Sequence, residues 1–159
     1  MSTDSTGPHG PVPPKRPRNP VEAFRQTGRE AGRTRVRVRY AETDRMGVVY
    51  YANYLVWFEV GRTDWLRDTG WSYREMELEG FSLPVIEAHC EYRQPARYDD
   101  EIEIVTKASL VTPVRIRFDY EVRRAGDDAR LATGYTAHAA LDANGRPCRL
   151  PARVREMLG

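Results

Sequence analysis

An α+β fold, with one antiparallel sheet covered by one apolar helix, is what this sequence predicts. Three observations carry that reading. Five segments beyond residue 33 alternate apolar and charged side chains with the period of two that half-buried strands require. The other face of those segments is charged, as in an antiparallel sheet covered on one side only. A single long apolar stretch, Asn53 to Asp68, has the length and the end signals of a helix able to supply the cover.

Residues 1–20 hold Pro8, Pro11, Pro13, Pro14, Pro17 and Pro20 with hardly any apolar side chains. Such a segment cannot bury enough surface to offset the entropy lost on ordering. Residues 1–33 are therefore expected to be a disordered tail and linker, with residues 34–159 forming the domain. The first strand is expected from Thr34, where Val36, Val38 and Tyr40 alternate with Arg35, Arg37 and Arg39. Asn53 reads as a helix N-cap and Gly70 as a C-terminal stop. Leu55, Val56, Trp57, Phe58, Val60, Trp65 and Leu66 spread over most of the circumference between them, which predicts a helix surrounded by other elements. Glu59 and Arg62 stand three apart on it and are expected to pair.

A second short helix is expected over Tyr73–Glu79, and further strands follow. Leu83 to Tyr92 is one. Ile102 and Ile104 alternate with Glu101 and Glu103 in the next. Val114, Ile116, Phe118, Tyr120 and Val122 alternate with Arg115, Arg117, Asp119 and Glu121. Leu131, Tyr135, Ala137, Ala139 and Leu141 define the apolar face of the last, which leaves His138 exposed. Turns at Ala125–Asp127 and Asp142–Gly145 suit hairpins, and Pro151–Leu158 suits one or two helical turns. Such a sheet has long edges, for which pairing with a second copy is the usual remedy.

At 159 residues, 40% hydrophobic and 30% charged, the chain has room for one ordinary domain. No run of about 18 apolar residues exists to span a membrane, and the first residues are polar and Pro-rich rather than signal-like. Cys90 and Cys148 have no metal-ligand spacing and are weak evidence for a disulfide, so a cytoplasmic protein with reduced thiols is expected. Residues 1–33 carry six basic and three acidic groups, leaving 19 basic and 20 acidic on the remainder. That balance argues against a nucleic-acid surface. His89 and Cys90 are adjacent, so in a strand they point to opposite faces and cannot form a couple.

The most informative stretch is residues 40–54. A strand pattern ends near Asp44, a turn follows at Met46-Gly47, and Tyr50-Tyr51 lead into Asn53 at the head of the apolar helix. A carboxylate seven residues ahead of free backbone N–H groups can stand opposite an oxyanion site, which suits attack on an activated carbonyl. Taken alone, Asp44 could equally be a turn-forming acid.

The segment Thr43-Asp44-Arg45-Met46-Gly47-Val48-Val49-Tyr50-Tyr51-Ala52-Asn53-Tyr54 resembles the signature of the hot-dog-fold acyl-CoA thioesterases, in the branch typified by 4-hydroxybenzoyl-CoA thioesterase. Pro95-Ala96 followed by Asp99-Asp100 is similar to that family's second, weaker signature. The resemblance implies a hot-dog fold, an antiparallel sheet wrapped around one long central helix. It implies hydrolysis of an acyl-CoA thioester with no cofactor, the CoA thioester being the substrate. Asp44 falls on the catalytic position, as nucleophile or general base, and the Tyr51 backbone N–H on the carbonyl-polarising one. Tyr50, Asn53 and Glu59 are further substrate-binding candidates, Glu59 because certain hot-dog thioesterases use a helix carboxylate. Many bacterial relatives carry histidine where this chain has Tyr51, and a phenol titrating near about 10 cannot replace its near-neutral proton transfer. Arg93, Arg97 and Arg117 are candidates for loose contact with CoA phosphates. A homodimer or homotetramer is implied. Two alternatives remain open: a thioesterase acting on an acyl-carrier-protein or polyketide thioester, and a non-catalytic acyl-binding module.

Overall fold

The computed structural model describes residues 30–158. Most of the expected tail lies outside them. At its C-terminal end, strand β1 already runs over Gly32–Arg37, two residues ahead of the expected start. Helix α1 spans Asn53–Asp68 and the short α2 spans Tyr73–Leu78. The two-residue strand β2 is Phe81–Ser82, and β3 is Val85–Tyr92. Strand β4 is Glu101–Val111, β5 Arg115–Arg124, β6 Arg130–Ala139 and β7 Leu141–Asp142, with α3 closing at Ala152–Leu158. An all-antiparallel five-stranded sheet has the order β1-β4-β5-β6-β3, and β2 pairs separately with β7. The fold is α+β, a sheet curled around α1. No helix among the described residues is long and apolar enough to cross a membrane.

Helix α1 ends where its sequence says it should. The Gly70 amide donates to the Arg67 carbonyl and the Trp71 amide to the Leu66 carbonyl, the paired bonds of a Schellman close. Its buried side holds Tyr54, Trp57, Phe58, Arg62, Trp65 and Leu66. Phe58 stacks on Tyr120 of β5 at 4.4 Å between centroids, and Trp65 meets Phe118 edge-on at 5.8 Å. Burying each such ring contributes about 1.5–3 kcal/mol. Gly61 faces β4 so closely that an added Cβ would lie 2.5 Å from Thr106 Oγ1 and 2.7 Å from Ile104 Cγ2.

Four expectations are corrected. Helix α1 is not fully surrounded within one chain: Leu55 and Val56 are 40% and 48% exposed, so one apolar face stays uncovered. Tyr40 is not the last strand residue but opens a single 3-10 turn over Tyr40–Glu42, with its ring 78% exposed. The inward face of β6 is Ala132, Gly134, Thr136 and His138, not the Tyr135 and Ala137 face. The register pairs those four with Val122, Tyr120, Phe118 and Ile116 of β5, which all point at α1. His138 is consequently fully buried. Its polarity is met locally, with Nε2 against Thr136 Oγ1 at 2.8 Å and Nδ1 against the Leu83 carbonyl at 2.8 Å. Finally, Asn53 does not cap α1, for the reason given below.

The outer face of the sheet is charged as expected, yet several of its groups are covered by their neighbours. Asp119 is 1% exposed beneath Arg117, whose guanidinium donates to it at 2.9 Å and lies 3.9 Å over the Tyr135 ring. Cys90 and His89 occupy opposite faces: Cys90 is packed against the core, while His89 stacks on Tyr135.

Candidate active site

Three extended pieces of chain meet at the head of α1. Thr43 bridges Val49, and Val48 bridges Arg97, while the Val49 amide donates to the Ala96 carbonyl at 2.9 Å. The two sequence signatures, around Asp44 and around Pro95-Ala96, are therefore neighbours in space. Ala96 is fully buried, and its amide donates to the Tyr54 hydroxyl at 3.2 Å. Asp100 holds the far end of this piece, accepting from the Arg97 amide and from Arg124 Nε.

Asp44 follows Thr43 in the first of these pieces and is half-buried. Its Oδ1 accepts from the Met46 amide at 2.8 Å and the Val48 amide at 3.4 Å, while its own amide donates to the Val48 carbonyl at 2.8 Å. Gly47, at φ +77°, closes the turn with an amide donated to the Asp44 carbonyl. One carboxylate oxygen is thus spent on the turn. The other, Oδ2, has no hydrogen-bond partner among the described residues. Asp44 is a turn-forming acid that keeps one oxygen in reserve.

At the start of α1, the Tyr50 amide donates to the Glu42 carbonyl at 2.8 Å and the Asn53 amide to the Tyr50 carbonyl at 2.9 Å. The amides of Tyr51 and Ala52 between them have no acceptor among the described residues. They lie at the positive end of the helix dipole, where an anion is stabilised. Ala52, not Asn53, occupies the cap position, and it has no side-chain cap. The Asn53 side chain is drawn off because its Nδ2 donates to the Glu42 carbonyl at 2.9 Å, a tertiary bond that outweighs the local capping preference.

A cavity of about 270 Å³ opens beside these groups, lined by Val48, Val49, Tyr51, Tyr54, Tyr92 and the Arg93–Pro95 segment. The Tyr92 hydroxyl donates to the Tyr51 carbonyl at 2.8 Å and so ties the end of β3 to the helix start. Tyr54 meets the Tyr92 ring edge-on at 5.1 Å. Burial raises the pKa of both phenols, so this wall stays neutral at physiological pH, and it pushes the nearby Cys90 thiol up to about 11. Arg93 lines the mouth, and Arg97 borders it through Val48.

The structure gathers Tyr50 and Asn53 on the Glu42 carbonyl, two residues from Asp44, and of Asp44, Tyr50, Tyr51 and Asn53 only Tyr51 lines the cavity. Glu59 is not part of it. It is exposed two turns along α1 from Tyr51, roughly 12 Å on the helix axis at the usual rise. Nor does it pair with Arg62. The buried Arg62 guanidinium donates instead to the Tyr73 hydroxyl at 2.6 Å, the Tyr120 hydroxyl at 3.0 Å and Thr136 Oγ1 at 3.5 Å. Tyr54, Tyr92 and the buried Glu42 are residues that reading the sequence missed. Tyr92 at a strand end, and an acid two residues before Asp44, were the signals available.

Known proteins resemble this chain in sequence and in fold. Residues 38–158 match the model of the thioesterase-like superfamily. YneP of Bacillus subtilis, provisionally named an acyl-CoA thioesterase, is 46% identical over 108 residues, covering 67% of this chain and 77% of that protein. YbgC of Escherichia coli O157:H7, named an acyl-CoA thioester hydrolase, is 36% identical over 90 residues, covering 57% and 67%. Among solved structures, the DHNA-CoA thioesterase of Staphylococcus aureus superposes with a TM-score of 0.72 at 32% identity, covering 76% of this chain and 80% of that one. With a matching family model over most of its length and a sheet curled around α1, the chain belongs to the thioesterase-like superfamily and has the hot-dog fold.

Proposed function

We propose that this thioester hydrolase cleaves an acyl-CoA to the free acid and CoA at the cavity lined by Val48, Tyr51, Tyr54 and Tyr92, with Asp44 acting from the turn that Val48 closes. The observation that carries the reading is the pairing of two unspent groups on one short loop. These are the free oxygen of Asp44 and the unpartnered amide of Tyr51. A thioester carbonyl seated with its oxygen toward the Tyr51 amide is polarised there, and the tetrahedral oxyanion is stabilised by the same donor and the helix dipole. Asp44 acts in one of two ways. As general base it takes a proton from water while the water oxygen bonds to the carbonyl carbon. As nucleophile it forms a mixed anhydride that water then hydrolyses. In both routes the C–S bond breaks and CoA leaves as a thiolate that takes up a proton. No step calls for a cofactor. The names of YneP, YbgC and the Staphylococcus enzyme support CoA delivery. Two free thiols, Cys90 and Cys148, suit a cytoplasmic setting.

Assembly belongs to the same proposal. The sheet has two edges, and they differ. β1 is guarded by Arg33, Arg35 and Arg37, whereas β3 presents Val85, Ile86 and Tyr92, each about half exposed. The β3 edge, which also carries exposed Glu87, His89 and Glu91 but no run of like charge, is the one that a second copy pairs with, and Tyr92 at its end lines the cavity, so the partner walls the site. A panel of CoA thioesters with short, long and aromatic acyl groups, alongside the same acyl groups on carrier-protein pantetheine, tests the reading. Turnover of CoA thioesters supports it. Turnover on carrier protein alone reassigns the leaving group, and no turnover on either makes the chain an acyl-binding module.

A further inference from the structure

We infer that Glu42 is a positioning residue for this reaction, the common anchor from which both Asp44 and the Tyr51 amide are held. The inference rests on the thioesterase reading above. Glutamate is almost never buried unless it is paired, and Glu42 is 6% exposed. Its Oε1 accepts from the Arg39 amide at 2.8 Å and Arg39 Nε at 3.3 Å, and its Oε2 accepts from the Trp57 indole at 3.1 Å. Its carbonyl accepts from the Tyr50 amide at 2.8 Å and from Asn53 Nδ2 at 2.9 Å.

These five bonds join three pieces of chain. The carboxylate fastens the segment after β1 to the second turn of α1, and the carbonyl fastens the approach to α1 and its first residue. Asp44 stands two residues beyond Glu42 on one side of the anchor. Tyr51 stands between Tyr50 and Asn53 on the other. The Tyr50 amide is held on the Glu42 carbonyl, and the next amide along, which like other helix-start amides has no intrahelical acceptor, faces outward beside it. The separation of carboxylate and oxyanion donor is therefore set through one residue. A misplacement of about 1 Å at a reacting centre costs on the order of 10²-fold in rate.

The hydrogen-bond chemistry makes this separable from a plain stability role. Both carboxylate oxygens of Glu42 receive N–H donors. In Glu42→Gln one of those donors, the Trp57 indole or the Arg39 amide, must face an NH₂ group instead. Shape is kept and one strut is lost. In Glu42→Gln/Trp57→Phe the amide NH₂ faces a ring without a donor, so the conflict at the indole is removed.

The experiment measures kcat and KM on the best thioester together with amide hydrogen exchange at Met46 and Val48, whose N–H groups bind Asp44. It is done well below each variant's Tm. Glu42→Gln is expected to lower kcat about 10-fold or more, to keep KM within about twofold, and to speed exchange at both amides. The double variant should lose less kcat than the two single losses multiplied together. Wild-type kcat in folded Glu42→Gln, or unchanged exchange at Met46 and Val48, overturns the assignment and leaves Glu42 a structural residue. Should the wild-type protein hydrolyse none of the thioesters, the thioesterase reading fails by itself. The exchange rates then decide alone whether Glu42 holds the Asp44 turn.

Discussion

Gly61→Ala sets two opposing effects against each other, and the structure decides which prevails. In a helix interior, replacing glycine by alanine is worth about 1 kcal/mol of added stability. Here the new methyl would lie 2.5 Å from Thr106 Oγ1 and 2.7 Å from Ile104 Cγ2, well inside normal contact. Both neighbours are fully buried on β4, which is flanked by β1 and β5 and has little room to retreat. The helix cannot lift away cheaply either, because Phe58 and Trp65 are locked against β5 on either side of Gly61. Overpacking costs about 1–3 kcal/mol; with two contacts inside 3 Å the upper end applies, so the variant should be destabilised by about 2 kcal/mol net. Thr106 Oγ1 has no hydrogen-bond partner among the described residues, so Thr106→Ala removes one clash without breaking a bond. The double variant should recover about 1 kcal/mol beyond additivity. Urea unfolding with linear extrapolation is the assay. Gly126→Ala, where an added Cβ meets nothing within 4 Å, is the control. A Gly61→Ala protein as stable as wild type would mean that α1 does not lie this close to β4.

Two further outcomes are expected. Burial pushes the pKa of His138 down to about 4, so the unfolded chain takes up a proton near pH 6.5 that the folded chain refuses until about pH 4. Stability from keeping this ring neutral is complete above pH 6.5 and is lost as the pH falls. The loss between pH 7 and pH 5 is about 2 kcal/mol. The stability difference between wild type and His138→Gln should shrink by that amount over the same range, and a difference that does not change with pH would contradict the buried neutral ring. Sedimentation at micromolar concentration should give at least twice the chain mass. An active monomer would remove the partner from the site.

What the sequence made legible depended on how local the cause was. The span of α1 and its Gly70 close were readable because the end signals lie within a few residues of the ends. Four of the sheet strands were readable from period-two alternation. β6 was read on the wrong face because Thr136 and His138 look polar in the sequence. In the fold they satisfy each other, with Tyr120 and the Leu83 carbonyl completing the chain of bonds. The i,i+3 spacing points Arg62 to Glu59, whereas its partners are hydroxyls 11, 58 and 74 residues away. Asn53 failed as a cap for the same reason, since a carbonyl 11 residues upstream competes for its side chain. The Asp44 segment was legible because its turn, its acid and its helix head are consecutive. Tyr54 and Tyr92 were not, because the cavity joins elements far apart in the chain.

Turnover by Asp44→Asn bears most directly on the claim that Asp44 performs the chemistry. Asparagine keeps an oxygen to accept the Met46 and Val48 amides, so the turn, the oligomer and the Tm should be preserved. It removes the charge and the basicity of the second oxygen, the one without a partner. With the best thioester of the panel, kcat should fall about 10²-fold or more, the share expected of a positioned base or nucleophile. A folded Asp44→Asn protein that hydrolyses the thioester at close to the wild-type rate would contradict the account.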